Sequence, residues 1–203
     1  MIQLSKAFLL FAALCRMASA AGPAPPGNYV LTEIATSGPS FWSPPINTSG
    51  QVVGWNFLWI PVSANAPVGS LVPFSGGGLG TAIDDRGQIV GASLGPQGML
   101  PFLWTPDTPN ASSGTSVAIP APPGVSSLNM TMSINSYGQV IGSDDSGLSF
   151  FWTPSTPNGT TGTLNPDSRF NGVTRINDFG QVTLNPVPRA GNTPTLFTPT
   201  ADR

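Results

Sequence analysis

The sequence has no histidine and a single cysteine, and only 8% of its residues are charged. Without histidine it lacks the commonest general base and the commonest metal ligand. The one thiol, Cys15, lies in an N-terminal segment that reads as a leader, so neither a disulfide scaffold nor thiolate chemistry is expected of the remainder. Lysine is confined to Lys6. Beyond residue 20, five arginines face nine carboxylates, a net charge of −4. That balance argues against nucleic acid, whose capture needs clustered Lys and Arg to displace counterions. Long apolar runs are also missing. The longest stretch near the N-terminus, Ala7–Leu14, is far shorter than the roughly 20 residues of a membrane-spanning helix.

Glycine and proline are plentiful, at 24 and 23 residues. Together they cut helices short and favour turns. The hydrophobic share of 39% is too high for a plain disordered chain. A surface with so few charges must instead be wetted by Ser, Thr, Asn and Gln. Residues 1–20 have the pattern of a secretory signal peptide: a basic start through Lys6, the apolar AFLLFAAL, and a small-x-small cleavage site at Ala18-Ser19-Ala20. The expectation is a secreted or periplasmic protein with no membrane span once the leader is removed. Residues 21–203 are then one domain.

That domain repeats. Ile46-Asn47-Thr48-Ser49-Gly50-Gln51-Val52-Val53-Gly54 recurs as Ile83-Asp84-Asp85-Arg86-Gly87-Gln88-Ile89-Val90-Gly91 and as Ile134-Asn135-Ser136-Tyr137-Gly138-Gln139-Val140-Ile141-Gly142. A fourth copy, Ile176-Asn177-Asp178-Phe179-Gly180-Gln181-Val182, departs at Thr183. Each is followed by an aromatic block: Phe57-Leu58-Trp59, Phe102-Leu103-Trp104, Phe150-Phe151-Trp152 and Thr195-Leu196-Phe197. The turn glycines are spaced 37, 51 and 42 apart, and a period of that size points to a β-propeller or a similar array. Asn or Asp three residues before Gly is tight-turn chemistry, with the short side chain bonding the backbone ahead and Gly taking the left-handed position. The flanking Gln-Val-Val and Phe-Leu-Trp runs are strand-formers. Fourth strands are expected near Ser70–Phe74, Ser116–Pro120 and Thr163–Asn165.

The fold expected is therefore all-β: a small propeller-like array of four ~40-residue, four-stranded repeats, centred near 46–74, 83–120, 134–165 and 176–199. An N-terminal strand over Tyr29–Ile34 would close the ring against the aromatic strand of the last copy. The Ile-Asn-x-x-Gly-Gln-Val-Val-Gly … Phe-Leu-Trp pattern resembles the HAF-family extracellular repeat of bacterial exported proteins, over roughly residues 40–199. The resemblance implies export and a propeller-like β array. It implies no activity, cofactor or catalytic residue.

Groups present in every copy read as architecture. Asn47, Asp84, Asn135 and Asn177 are turn caps rather than a ring of ligands. Gln51, Gln88, Gln139 and Gln181 are expected to bond backbone between repeats. Trp59, Trp104 and Trp152 are expected to pack between sheets rather than form a sugar-stacking platform. Asp144-Asp145-Ser146-Gly147 has oxygens that suit calcium, but not the spacing of a known calcium loop, and reads as a solvated turn. Ser75–Gly80 resembles a phosphate loop only in its glycines. No catalytic, metal or cofactor site is expected.

Variation concentrates in the loops after each second strand, Ala92–Gly98, Ser143–Gly147 and Asn185–Thr193. Trp55, Asp144, Asp145 and Arg189 are the candidate ligand-face residues there. The expected partner is a glycan or cell-envelope component, bound by a monomer in a binding or purely structural role. The alternative is a carbohydrate-active hydrolase or lyase, which needs two carboxylates such as Asp85 and Asp145 to converge on one face.

Overall fold

A computed structural model describes residues 31–34, 44–74, 77–95, 98–120, 128–144, 148–167, 172–184 and 195–199. The leader at residues 1–20 lies outside them. The described residues from Thr32 onward fall in one compact unit, Thr32–Arg203. They contain no helix, and their strands form four antiparallel sheets in chain order.

Sheet 1 holds β1 (Val52–Val53), β2 (Phe57–Pro61) and β3 (Gly69–Pro73). Sheet 2 holds β4 (Leu79–Ile83), β5 (Ile89–Gly95), β6 (Gly98–Pro106) and β7 (Gly114–Ala118). Sheet 3 holds β8 (Leu128–Ile134), β9 (Val140–Asp144), β10 (Ser149–Pro154) and β11 (Gly162–Asp167). Sheet 4 holds β12 (Val173–Ile176), β13 (Val182–Leu184) and β14 (Thr195–Phe197). Each is a meander of sequential neighbours.

Two sheets depart from the expected four strands. In sheet 1 the leading strand shrinks to one bridge, Ile46 with Val52, because Pro44 and Pro45 precede it and proline donates no ladder hydrogen bond. Sheet 4 ends at β14. Of the strand expected over Tyr29–Ile34, residues 29 and 30 lie outside the described residues, and 31–34 are irregular. Thr32 donates its hydroxyl hydrogen to the Pro67 carbonyl beside β3 (2.8 Å).

Alternation along the strands sets the packing. In sheet 2, Ile89 pairs with Trp104 and Val90 with Leu103. Ile89 and Trp104 face sheet 1 and join Val53, Leu58 and Phe74 in one buried layer. Val90 and Leu103 face sheet 3 and join Val140, Phe150 and Trp152 in a second. Ile141 turns the other way, into a third layer with Val173, Ile176 and Val182 of sheet 4. In the repeated Gln-Val-Val-Gly, the leading aliphatic residue therefore packs against the preceding sheet and its successor against the following one. Phe74 meets Trp104 edge-on, ring centroids 5.5 Å apart, an arrangement worth more than its buried area alone.

The meander also sorts the connections. Turns from first to second strand and from third to fourth lie at one end of the sheets. The second-to-third loops and the links between sheets lie at the other, called the loop end below.

Candidate functional site

The most elaborated polar structure is a spine of asparagines and glutamines along the turn end. Each Asn-x-x-Gly turn closes with Gly N–H donating to the Asn or Asp carbonyl: Gly50 to Asn47, Gly87 to Asp84, Gly138 to Asn135 and Gly180 to Asn177. The four glycines have φ between +72° and +84°, where a side chain is strained. The capping oxygen takes two backbone hydrogens in every copy. Asn47 Oδ1 accepts from Ser49 and Gln51, Asp84 Oδ1 from Arg86 and Gln88, Asn135 Oδ1 from Tyr137 and Gln139, and Asn177 Oδ1 from Phe179 and Gln181.

Onto each of the first three turns docks a second loop, led by an asparagine in the left-handed region. Asn65, Asn110 and Asn158 have φ of 61°, 63° and 61°. Their amides donate to Ser49, Arg86 and Tyr137 carbonyls at 2.8–3.0 Å. The repeats are then stitched together. Gln51 Nε2 donates to Asn110 O (2.9 Å), and Gln88 Nε2 to Asn158 O (3.2 Å). Asn47 Nδ2 donates to Asp84 O (3.1 Å), and Asn135 Nδ2 to Asn177 O (3.0 Å). The caps hold their turns as expected, but among the described residues only Gln51 and Gln88 of the four glutamines bond backbone of the next repeat; Gln139 bonds its own cap, and Gln181 Nε2 donates to Thr198 Oγ1. Trp104 and Trp152 are buried between sheets, whereas Trp59, also buried, pairs with Val52 on the face of sheet 1 turned away from sheet 2.

One member differs. In copies one, three and four, the cap Nδ2 donates to the glutamine Oε1 at 2.9, 2.7 and 2.8 Å. In copy two the cap is Asp84, which has an oxygen where the others have NH2. Asp84 Oδ2 and Gln88 Oε1 are both buried without a partner, and so is Asn158 Oδ1. The counterpart of that last atom, Asn110 Oδ1, accepts from Asn47 Nδ2 (3.1 Å). Burial pushes the Asp84 carboxyl up to about 6, against the pull of the Gln88 and Arg86 amides. The sequence signal was one aspartate among asparagines.

The candidate ligand-face residues are scattered. Trp55 is half-buried and bridges by its backbone to Leu79, where sheet 1 passes into sheet 2. Asp144 ends β9 opposite Leu128. Asp145 and Arg189 lie outside the described residues. Asp85 belongs to the turn end, where its Oδ1 accepts the Thr48 amide hydrogen (3.0 Å). Asp144 closes β9 at the loop end, the end opposite Asp85, and the pairing of Asp85 with Asp145 lies outside the described residues.

Compared with known family models, curated proteins and solved structures, the chain matches none. Its chemistry must be argued from its own residues. Among the described residues no three of His, Cys, Asp and Glu group as metal ligands, and no helix is long and apolar enough to cross a membrane. The spine rigidifies. Residues 92–95, 98 and 143–144, at the loop end, are where repeats of one scaffold differ.

Proposed function

We propose that this chain is an exported scaffold, a propeller-type array of four blades akin to the HAF repeat, which takes up a glycan or other envelope polymer at its loop end. The observation that carries this reading is the division of labour between the two ends. At the turn end the recurrent Asn and Gln side chains are engaged in bonds within and between repeats. Repeats differ mainly at the other end. From turn glycine to aromatic residue the spacing runs 9, 17, 14 and 17 residues, whereas Trp59, Trp104 and Trp152 each precede a left-handed Asn by six. Repeat proteins use a constant frame to present variable loops in this way. Meander sheets stacked face to face in chain order support the blade reading. The short basic start, AFLLFAAL and Ala18-Ser19-Ala20 support export.

A glycan array and a pull-down on isolated envelope polysaccharide test the reading. The folded protein is expected to bind. Replacing the exposed Leu94 by Ser, or Trp55 by Ala, should weaken binding at least tenfold with the melting temperature little changed. A well-folded wild type giving no signal on any glycan or polymer would remove the ligand half of the proposal.

A further inference from the structure

One place in the spine brings oxygens together without hydrogens. In copy one, Asn47 Nδ2 lies 2.9 Å from Gln51 Oε1 and 3.1 Å from both Asp84 O and Asn110 Oδ1. Its counterpart in copy two is Asp84 Oδ2. The counterparts of the three acceptors are Gln88 Oε1, Asn135 O and Asn158 Oδ1. The frame around them is unchanged. Gln88 Nε2 donates to Asn158 O as Gln51 Nε2 donates to Asn110 O. A Cβ on Gly138 would lie 3.2 Å from Gln88 Oε1 and 3.0 Å from Asn158 Cα, and one on Gly87 would lie 3.1 Å from both Gln51 Oε1 and Asn110 Cα. Four oxygens from two consecutive repeats thus face one another between the second and third turns.

The residues of the cage cannot supply the missing hydrogens. Asp84 and Gln88 are 5% and 1% exposed, and Asp84 Oδ2, Gln88 Oε1 and Asn158 Oδ1 are buried without a partner. Turning the Gln88 amide over would not help, because both hydrogens of its NH2 are already given, to Thr105 Oγ1 (3.0 Å) and Asn158 O (3.2 Å). Asp84 Oδ1 is occupied by the Arg86 and Gln88 amides. A proton on Oδ2 would point at one of the three acceptors, whereas a positive ion faces all of them at once.

We propose that this cage holds a dehydrated monovalent cation, Na+ or K+, between Asp84 Oδ2, Gln88 Oε1, Asn158 Oδ1 and Asn135 O. Carboxylate, amide and backbone carbonyl oxygens are the donors that hard cations take. Charge selects the valence. The cage contains one carboxylate, so one positive charge leaves the buried site neutral, and a divalent ion would leave a net charge away from water. Asp85 and Arg86 beside it are exposed and of opposite sign. The cation takes over, between repeats two and three, the link that Asn47 and Asn135 make to the next repeat on either side.

Thermal unfolding at pH 7.5 in NaCl, KCl, CaCl2 or choline chloride of equal ionic strength tests it. Choline is too large to enter and sets the baseline, in which Asp84→Asn is the more stable protein. Each tenfold rise in Na+ or K+ past half-saturation should lift the wild-type melting temperature by about 3–5 °C above that baseline. Asp84→Asn, whose NH2 fills the place as in copy one, should unfold at the same temperature in all three monovalent salts. Wild-type melting temperatures that coincide in NaCl, KCl and choline chloride overturn the proposal, as does a rise that Asp84→Asn shares. A larger rise in CaCl2 than in NaCl and KCl also overturns it, because the charge argument then fails. None of these outcomes touches glycan uptake at the loop end, which is measured separately.

Discussion

Asn47 and Asp84 occupy the same place in their repeats and differ in one group, an NH2 against an oxygen. The NH2 in copy one donates to Gln51 Oε1, Asp84 O and Asn110 Oδ1. The oxygen in copy two can donate nothing unless it is protonated, and Gln88 Oε1 and Asn158 Oδ1 are left without partners. A buried acceptor without a donor costs about 1–3 kcal/mol, so the folded state favours the protonated acid. The folded pKa of about 6 lies above the ordinary 3.8. The native protein therefore binds a proton more tightly than the unfolded chain does. This contribution is fully present below pH 3.8, is lost as pH rises toward about 6, and is flat above that. The difference corresponds to about 3 kcal/mol. Asp84→Asn should then be more stable than wild type by about 2–3 kcal/mol at pH 7.5, with an advantage that shrinks toward zero near pH 4. Urea unfolding of both proteins across that range measures it. A gap that does not change with pH would show that the carboxyl is already satisfied.

Each of the first three copies lays its tryptophan over a glycine of the neighbouring strand. A Cβ on Gly69, Gly114 or Gly162 would come within 2.7, 2.6 and 2.7 Å of the Trp59, Trp104 and Trp152 rings, and within 2.4 Å of a backbone carbonyl oxygen. The carbonyl cannot swing aside without disturbing the ladder. Gly114→Ala should therefore cost about 1–3 kcal/mol as overpacking, while Thr115→Ala, on the exposed neighbour, should stay within about 0.5 kcal/mol. Thermal unfolding of the pair decides it, and equal melting temperatures would remove the argument. The turns, the links from Gln51 and Gln88 and the burial of Trp104 and Trp152 were legible in the sequence because each recurs at fixed spacing from a turn glycine or an aromatic block. The strand glycines and left-handed asparagines carry an equally regular signal, ten and six residues after each tryptophan. It is masked in copy one, where Ser63-Ala64-Asn65-Ala66 does not resemble the Thr-Pro-x-Thr-Pro-Asn of the later copies. The shortened lead into sheet 1 was less legible, because Pro44 and Pro45 sit beside residues that otherwise match the repeat. Asp84 was visible as a substitution, but its cost depends on which atoms surround Oδ2, and that is a matter of packing.

Among the described residues, sheets 2 and 3 meet other sheets on both faces, and sheets 1 and 4 on one, since the three buried layers lie between consecutive sheets. Such an array behaves as a row of units whose stability is a sum of intrinsic and nearest-neighbour terms. The middle layer, between sheets 2 and 3, holds Trp152, Phe150, Val90 and Leu103, so it joins the two halves of the row. Trp152→Ala empties that layer of its largest side chain and should cost about 3–5 kcal/mol. The loss should not spread evenly. Coupling between sheets 2 and 3 weakens, while Val53, Leu58 and Phe74 still cover Ile89 and Trp104 on the other face of sheet 2. Hydrogen exchange should then show the amides of β9 and β10 losing most of their protection, with those of β12 and β13 following because they rest on sheet 3. The amides of β2 and β6 should keep most of theirs. Protection that falls by the same amount in all four sheets would mean that they unfold as one cooperative unit, and that the contacts between consecutive sheets are not the only ones holding the row together.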